Sequence, residues 1–346
     1  MLEEKWLMKH AHLIISRILL VCISALLLTN MVMGEVRHPN HGIGEPTEVK
    51  VRYVVLDIDG VDSAVQNFTM NLFFRAEWKD PREAHNEDGS ITKSLSEIWH
   101  PNIQITNRQK IFKTLDPRAV ISQDGTVNVT QRVWGNFSQI FDLKDFPFDS
   151  QKFEVTLVSV GHSPEEVKFV LDKAKDKKSG ISPKFSLPDW EILGHEAWGF
   201  SESIFDGMQP ASMFRISLEA KRYNEYYLLK VILPLFLIVA MSWIVFWIDP
   251  EQAGTQIGVA TTSMLTLIAY RFSIDSLVPA VPYLTRMDAF ILSSTLLVFA
   301  TLGEAVLTSV LTKHGRPELA VRMDRWCRVI VPIGFLTLAV QVFLGQ

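Results

Sequence analysis

The sequence predicts an all-β extracellular immunoglobulin-like sandwich followed by an all-α four-helix transmembrane bundle. Three observations predict it. Between residues 35 and 225, short β-branched and aromatic runs recur, separated by turn clusters. After residue 226 the chain turns strongly apolar, in stretches long enough to cross a bilayer. Ahead of both lies an apolar run of the export type. The expected domains are therefore a signal peptide (1–34), an exported β-domain (35–225) and a membrane domain (226–346).

The N-terminal "SRILLVCISALLLTNMVMG" places Arg17 ahead of an apolar run from Ile18 to Leu28, with small residues toward Gly34. That run is short for a span and fits a secretory h-region. Glu3 and Glu4 depart from the usual basic start, and an uncleaved anchor helix is the competing reading. Both readings export the β-domain.

The β-domain is read from "VKVRYVVLDID", "VQNFTMNLFFRAEW", "TVNVTQRVWGNF", "QKFEVTLVSV" and "MFRISLEAKR", with turns such as "QDGT" and "GHSP". Residues 71–78 alternate: Leu72, Phe74, Ala76 and Trp78 share one face, Asn71, Phe73, Arg75 and Glu77 the other. "DKAKDKKSGISPK" (172–184) reads as a solvated, charged loop.

In the membrane domain, Leu228–Ile248 is the first span, and Pro234 inside it frees a backbone carbonyl. Asp249-Pro250-Glu251 is a helix start, with a capping carboxylate and proline at the first helical position. Ala289–Leu311 and Val329–Leu344 are further spans, the last one short and needing flanking residues. The connection from Thr312 to Arg328 carries Lys313, Arg316, Arg322, Arg325 and Arg328, which the positive-inside rule puts in the cytoplasm. Four spans then leave the N-terminal domain and the C-terminus on the outer side.

The second span carries a stripe. Glu251, Gly258, Thr262, Leu265, Ala269, Phe272 and Ser276 succeed one another at steps of seven, four, three, four, three and four. All lie on one helical face. An acid and a threonine gain nothing by facing lipid. Two readings fit: small residues packing closely in a bundle, or a pore-lining helix repeated around a symmetry axis, with Leu265 as an apolar ring.

Composition excludes other classes. Thirty-four Lys and Arg against 38 Asp and Glu leave a net charge of −4, so nothing global points to nucleic acid. The two cysteines are Cys22 and Cys327, and none lies between them to staple the β-domain. There is no CxxC, no HExxH and no glycine-rich phosphate loop, so no metal and no cofactor is expected. An enzyme is disfavoured, because no nucleophile, base and orienter motif stands out. A membrane-anchored binding module needs neither four spans nor a striped second helix.

Ordered motifs then carry a resemblance. These are "FFRAEWKDPR" (73–82), "IWHPNIQITN" (98–107, with Asn102 in place of an aspartate), "FDLKDFPFDSQKF" (141–153), "RYNEYYLLKVILPLFLIVAMSWIVFWI" (222–248) and "TTSMLTLIAYRFSIDSLVPAVPYLTRMD" (261–288). From about residue 45 onward the chain resembles the pentameric ligand-gated ion channels (the Cys-loop receptor superfamily), of the compact prokaryotic kind. The two loop cysteines of that family fall here at Gln139 and Phe153, and the connection before the fourth helix is short.

The resemblance implies a homopentamer in a bacterial inner membrane, in contact with lipid, conducting ions and gated by a small-molecule agonist at subunit interfaces. It implies ligand-site positions at Thr106, Val160 and His162, at Phe73, and at Phe200 and Phe205 in the "GFSESIFDGMQPASMF" hairpin. That is a poor aromatic box. Arg75 matches the place where amino-acid-gated relatives hold a ligand carboxylate, and Arg132 lies nearby in the same scheme, so a small acid or zwitterion is expected; structural pairing with acids such as Glu77 is the alternative. Proton gating is a rival to an organic agonist. For coupling, the resemblance implies a pair between Asp149 and Arg222, joined by Asp59 or Asp62, and a push delivered around Pro279. At the inner mouth Gly254, Thr255 and Gln256 stand where anion channels carry Pro-Ala-Arg. Five copies of Glu251 would favour cations, with Asp275 in support and Arg271 against.

Overall fold

The computed structural model describes residues 37–42, 44–173, 179–275 and 280–344. The expected signal peptide, Cys22, Ser276 and Pro279 lie outside the described residues.

Twelve strands form two sheets among the described residues. The first has the order β10-β1-β2-β7-β6-β3, with β5 on β7 and β9 on β1. It comprises β1 (Thr47–Asp62), β2 (Asn67–Lys79), β3 (Ile91–Ser94), β5 (Arg108–Lys113), β6 (Arg118–Ile121), β7 (Thr126–Ser138), β9 (Val167–Leu171) and β10 (Gly180–Ile181). The second has the order β11-β12-β8-β4, from β4 (Ile103–Ile105), β8 (Ser150–Ser159), β11 (Trp190–Glu202) and β12 (Ala211–Arg222).

The alternation read at residues 71–78 holds. Leu72, Phe74, Ala76 and Trp78 are buried between the sheets, and the odd residues face outward. Aromatic residues form the middle of the core: Phe153 packs on Phe68 and Trp190 with ring centroids 5.3 and 5.2 Å apart. The "QDGT" turn closes through Gly125 at φ +78°, a conformation that glycine adopts freely.

The long strand β11 was not legible. Its burial is low along most of its length and its sequence lacks alternation. Gly199 explains part of this, because a Cβ there would sit 1.9 Å from the carbonyl oxygen of Phe169. The expected solvated loop 172–184 is tied at both ends. Asp172 pairs with Arg52, and Gly180–Ile181 add in parallel to β1 at Val54 and Val55. Residues 174–178 lie outside the described set.

Four helices long and apolar enough to cross a membrane complete the chain: α1 (Glu225–Trp247), α2 (Pro250–Ile274), α3 (Arg286–Lys313) and α4 (Pro317–Leu344). Two expected boundaries are corrected. The third helix starts at Arg286, because Thr285 and Asp288 form a capping box. The fourth starts at Pro317, so most of the basic connection is helix and only His314, Gly315 and Arg316 link α3 to α4. Asp249 caps α2 by accepting from the Glu251 backbone N–H at 3.0 Å, as its sequence requires.

Pro234 has a partner that the sequence did not reveal. Ahead of it α1 opens into a π-helical turn at Leu228–Ile232. The Tyr270 hydroxyl of α2 donates toward the carbonyls of Lys230 and Val231, at 3.1 and 2.8 Å. The Lys230 carbonyl is the one a proline at 234 leaves without its helical donor. At the other end of the bundle, buried Gln256 of α2 donates to Ile248 O at 2.9 Å and lies 3.4 Å from both Asp324 Oδ2 and the Thr308 hydroxyl.

Candidate functional site

The expected ligand residues fall into two groups on opposite sheets. On β2 and β7, Phe73 pairs with Arg132 and Arg75 with Thr130, all facing outward. Arg75 donates through Nε to Asn128 Oδ1 at 2.8 Å, and Arg132 through Nε to Asn71 Oδ1 at 3.2 Å. The expected alternative, an ion pair of Arg75 with Glu77, is not formed. Both guanidiniums spend a donor on a neutral amide and keep their net charge.

On β8, β11 and β12, the Thr106 backbone N–H donates to Thr156 O at 2.9 Å. The Thr156 hydroxyl accepts from Arg215 Nε at 3.4 Å. The Arg215 guanidinium carbon lies 4.8 Å from the Phe200 ring centroid and 5.9 Å from that of Trp198. Glu154 stands 3.6 Å from Arg215 Nη1. Sequence reasoning missed Arg215, Trp198 and Glu154. Their only signal was the outward parity of Arg215 on a strand whose even residues from 214 to 220 are apolar.

Two expected residues stand apart. His162 packs against Trp99 with ring centroids 5.4 Å apart, and Phe205 is exposed in the β11–β12 hairpin. The Phe73 group and the Phe200 group face away from each other across one sandwich, so a ligand touching both needs two copies of the chain.

The pair implied between Asp149 and Arg222 is formed. Arg222 Nε to Asp149 Oδ1 is 2.7 Å and Nη2 to Oδ2 is 3.1 Å, with the side chains 6% and 2% exposed. The guanidinium also lies 4.1 Å from the Trp190 ring and 5.0 Å from that of Phe146. The expected third partner is corrected. Asp62 accepts from the backbone of Ala64 and Val65, which folds its own turn, and Asp59 accepts from Trp134 Nε1. The Ser63 hydroxyl reaches Arg222 Nη2 instead, at 3.2 Å.

The loop from Gln139 to Asp149 seats the β-domain on the helices. Arg286 N donates to Lys144 O at 2.9 Å, Met287 N to Phe146 O at 3.2 Å, and Arg286 Nε to Asp145 Oδ1 at 2.7 Å. The Tyr283 hydroxyl accepts from Leu143 N at 2.9 Å. Pro279, the expected receiver, is outside the described residues; Tyr283 and Arg286 make the contact. The base of this loop is closed by an amide. Gln139 Nε2 donates to Lys152 O and its Oε1 accepts from Glu154 N, on either side of the buried Phe153.

On α2, the stripe residues Glu251, Gly258, Thr262, Leu265, Ala269 and Phe272 are all exposed in the protomer, Leu265 at 62% and Phe272 at 79%. Gln256, Ala260, Ser263, Leu267 and Ile274 are buried against the other helices. At about 100° per residue the two sets lie on opposite sides of the helix. Ser276 is outside the described residues. Gln256 belongs to the packed side and so faces away from the stripe.

A β-sandwich seated by one loop on four helices long and apolar enough to cross a membrane defines an integral membrane protein. Residues 27–219 match the model of the neurotransmitter-gated ion-channel ligand binding domain, and residues 231–331 that of the neurotransmitter-gated ion-channel transmembrane region. The chain belongs to this family of ligand-gated ion channels, the Cys-loop superfamily.

Proposed function

We propose that the chain forms a homopentameric channel of the compact prokaryotic type, without the loop disulfide, opened by an agonist at subunit interfaces and conducting through a pore lined by α2. It acts in a bacterial inner membrane, after removal of residues 1–34, with the β-domain and the C-terminus on the outer side. The observation that carries this reading is the free face of α2. Glu251, Gly258, Thr262, Leu265, Ala269 and Phe272 are exposed while the opposite face packs on the protomer's own helices. A lipid-facing role for an acid and a threonine is unfavourable. Five copies put Leu265 in a ring that excludes water when tight and Glu251 in an acidic ring that favours cations.

The agonist is a small carboxylate or zwitterion. Arg75 and Arg132 on one subunit keep donors for it, and Arg215, paired with Glu154 at 3.6 Å, offers further guanidinium donors beneath Phe200 on the other. Phe200 and Trp198 already hold that guanidinium, so the same rings are a poor box for a cationic ligand. The signal passes through the Asp149–Arg222 pair and the 139–149 loop to Tyr283 and Arg286. Arg271 near the outer end of α2 is exposed, but it shares the helix side of Leu267 and Ile274 and not that of the stripe, so it adds little to an anion-selective reading.

Current from purified protein in a planar bilayer tests the reading. Cysteines introduced singly at 258, 262, 265, 269 and 272 are expected to react with aqueous thiol reagents in the open state. Reversal potentials in asymmetric salt are expected to track the cation gradient. Arg75→Ala and Arg215→Gln are each expected to raise the half-activating carboxylate concentration about tenfold, the equivalent of ~1.4 kcal/mol. Protection of the whole stripe, or dose-responses unchanged in both variants, overturns the respective part.

A further inference from the structure

Two acids meet inside the helical bundle, at its end away from the β-domain. Glu304 of α3 and Asp324 of α4 hold their carboxyl groups within hydrogen-bonding reach of each other. Asp324 is 1% exposed. Its Oδ2 lies 3.4 Å from Nε2 of Gln256, and no protein donor reaches its buried Oδ1. Both carboxyl oxygens of Glu304 are shut off from solvent and also lack a protein donor. Native interiors avoid leaving such groups unmatched.

The surroundings do not supply the missing positive charge. Gln256 of α2 is fully buried beside the pair, with Nε2 donating to Ile248 O at 2.9 Å and Oε1 lying 3.4 Å from the Thr308 hydroxyl. An amide there brings no net charge. The other charged groups near Asp324 are Arg328 and Asp249, and Cys327 borders both acids. Arg328 Nε donates to Phe246 O at 2.8 Å, and its guanidinium lies 5.6 Å from the Trp247 ring centroid. Among these groups one arginine faces three acids. Two ionised carboxylates in contact and out of water repel each other, and carboxyl pairs that share a site relieve this by keeping one proton. The acid then donates to its neighbour in a charge-assisted hydrogen bond. For a metal ion the donor set is too small: among the described residues no group of three His, Cys, Asp or Glu side chains is placed to hold one.

We propose that Glu304 and Asp324 form a proton-binding site within each subunit, with one proton held between their carboxyl groups. The proton lets α3 and α4 close on each other at the point where Asp324 takes the Gln256 amide, so it ties this end of α2 to the bundle. The site rests on helix packing and goes beyond the channel reading. Its test reads the proton and not current.

Infrared spectroscopy of the full chain in lipid nanodiscs, in ordinary and heavy water, reads protonated carboxyl groups by their C=O stretch. The parent is expected to show such a band at pH 7, where exposed acids are ionised. In Glu304→Gln the new amide donates to Asp324, and the band is expected to vanish. Gln256→Lys keeps both acids and places a fixed positive charge beside Asp324, and the band is expected to vanish there too. A cooperative thermal transition shows that each variant is folded. Stability gives a second reading. The folded chain holds one proton that the unfolded chain has released, so the parent's folded-to-unfolded ratio is expected to fall about tenfold from pH 7 to 8. Both variants are expected to lose that slope. Absence of the band from the parent, or a band and slope unchanged in both folded variants, overturns the proposal. A chain that shows the band and the slope yet passes no current leaves the site standing and removes the channel reading alone.

Discussion

Replacing Asp149 by alanine strips the carboxylate from a guanidinium that has almost no access to water. Arg222 is 6% exposed at its side chain and Asp149 is 2% exposed, with two hydrogen bonds between them at 2.7 and 3.1 Å. Removing one partner of such a buried pair costs about 3–5 kcal/mol, because the survivor stays charged and desolvated. Some of that is offset. The Ser63 hydroxyl at 3.2 Å and the ring faces of Trp190 and Phe146 still hold Arg222, and cation–π contacts at desolvated sites are worth up to ~2 kcal/mol. A net loss of about 2–4 kcal/mol remains. At ~2–4 °C per kcal/mol for a domain of this size, Tm is expected to drop by roughly 4–16 °C. Thermal unfolding of the detergent-solubilised chain by tryptophan fluorescence checks this directly, since Trp190 stacks on the guanidinium. Arg222→Met and the double variant complete a cycle, and a coupling of at least ~2 kcal/mol is expected. A drop below about 2 °C for Asp149→Ala, or additive single effects, refutes the reasoning.

Tyr270→Phe leaves the Lys230 and Val231 carbonyls without the hydroxyl donor from α2; a loss of about 1–2 kcal/mol is expected, read as a fall of a few degrees in Tm, and an unchanged Tm counts against the assigned role. His100 is expected to make stability pH-dependent. Its burial, then the nearby His162, hold its pKa below the ordinary 6.5. As pH falls through about 6.5 the unfolded chain takes up that proton first, so stability declines from there toward the lowered folded pKa and levels off below it. His100→Gln is expected to flatten the Tm-against-pH curve between pH 7 and 5; a curve of unchanged slope contradicts it.

Local signals made much of this chain legible. The parity of residues 71–78, the Asp249-Pro250 cap and the seven-four-three spacing of α2 each involve neighbours within a few residues, and each took the expected form. Among the candidate residues, the legible relations were those within one element: Phe73 and Arg75 on one face of β2, and the common exposed face of the α2 residues. What failed depended on partners distant in sequence. Strand β11 has little alternation because it covers the sandwich on one exposed face, held by β12. Arg215 gained meaning only when β12 paired with β8 and β11 and brought Thr156, Glu154, Trp198 and Phe200 around it. The further acid expected to join the Asp149–Arg222 pair proved to be a serine, because the turn uses Asp62 for its own backbone.

The sequence by itself determined the order of a β-domain and four membrane-length helices, and which face of α2 differs from the rest. Hydropathy and period are properties of contiguous residues, so no knowledge of the fold is needed to read them. The tertiary structure decided which polar groups are paired. It gave Arg222 its carboxylate and Tyr270 the carbonyls near Pro234, and it left the Gln131 amide buried without a protein partner. Hydrogen bonds act over about 3 Å, and only the folded chain brings residues 149 and 222, or 230 and 270, within that reach.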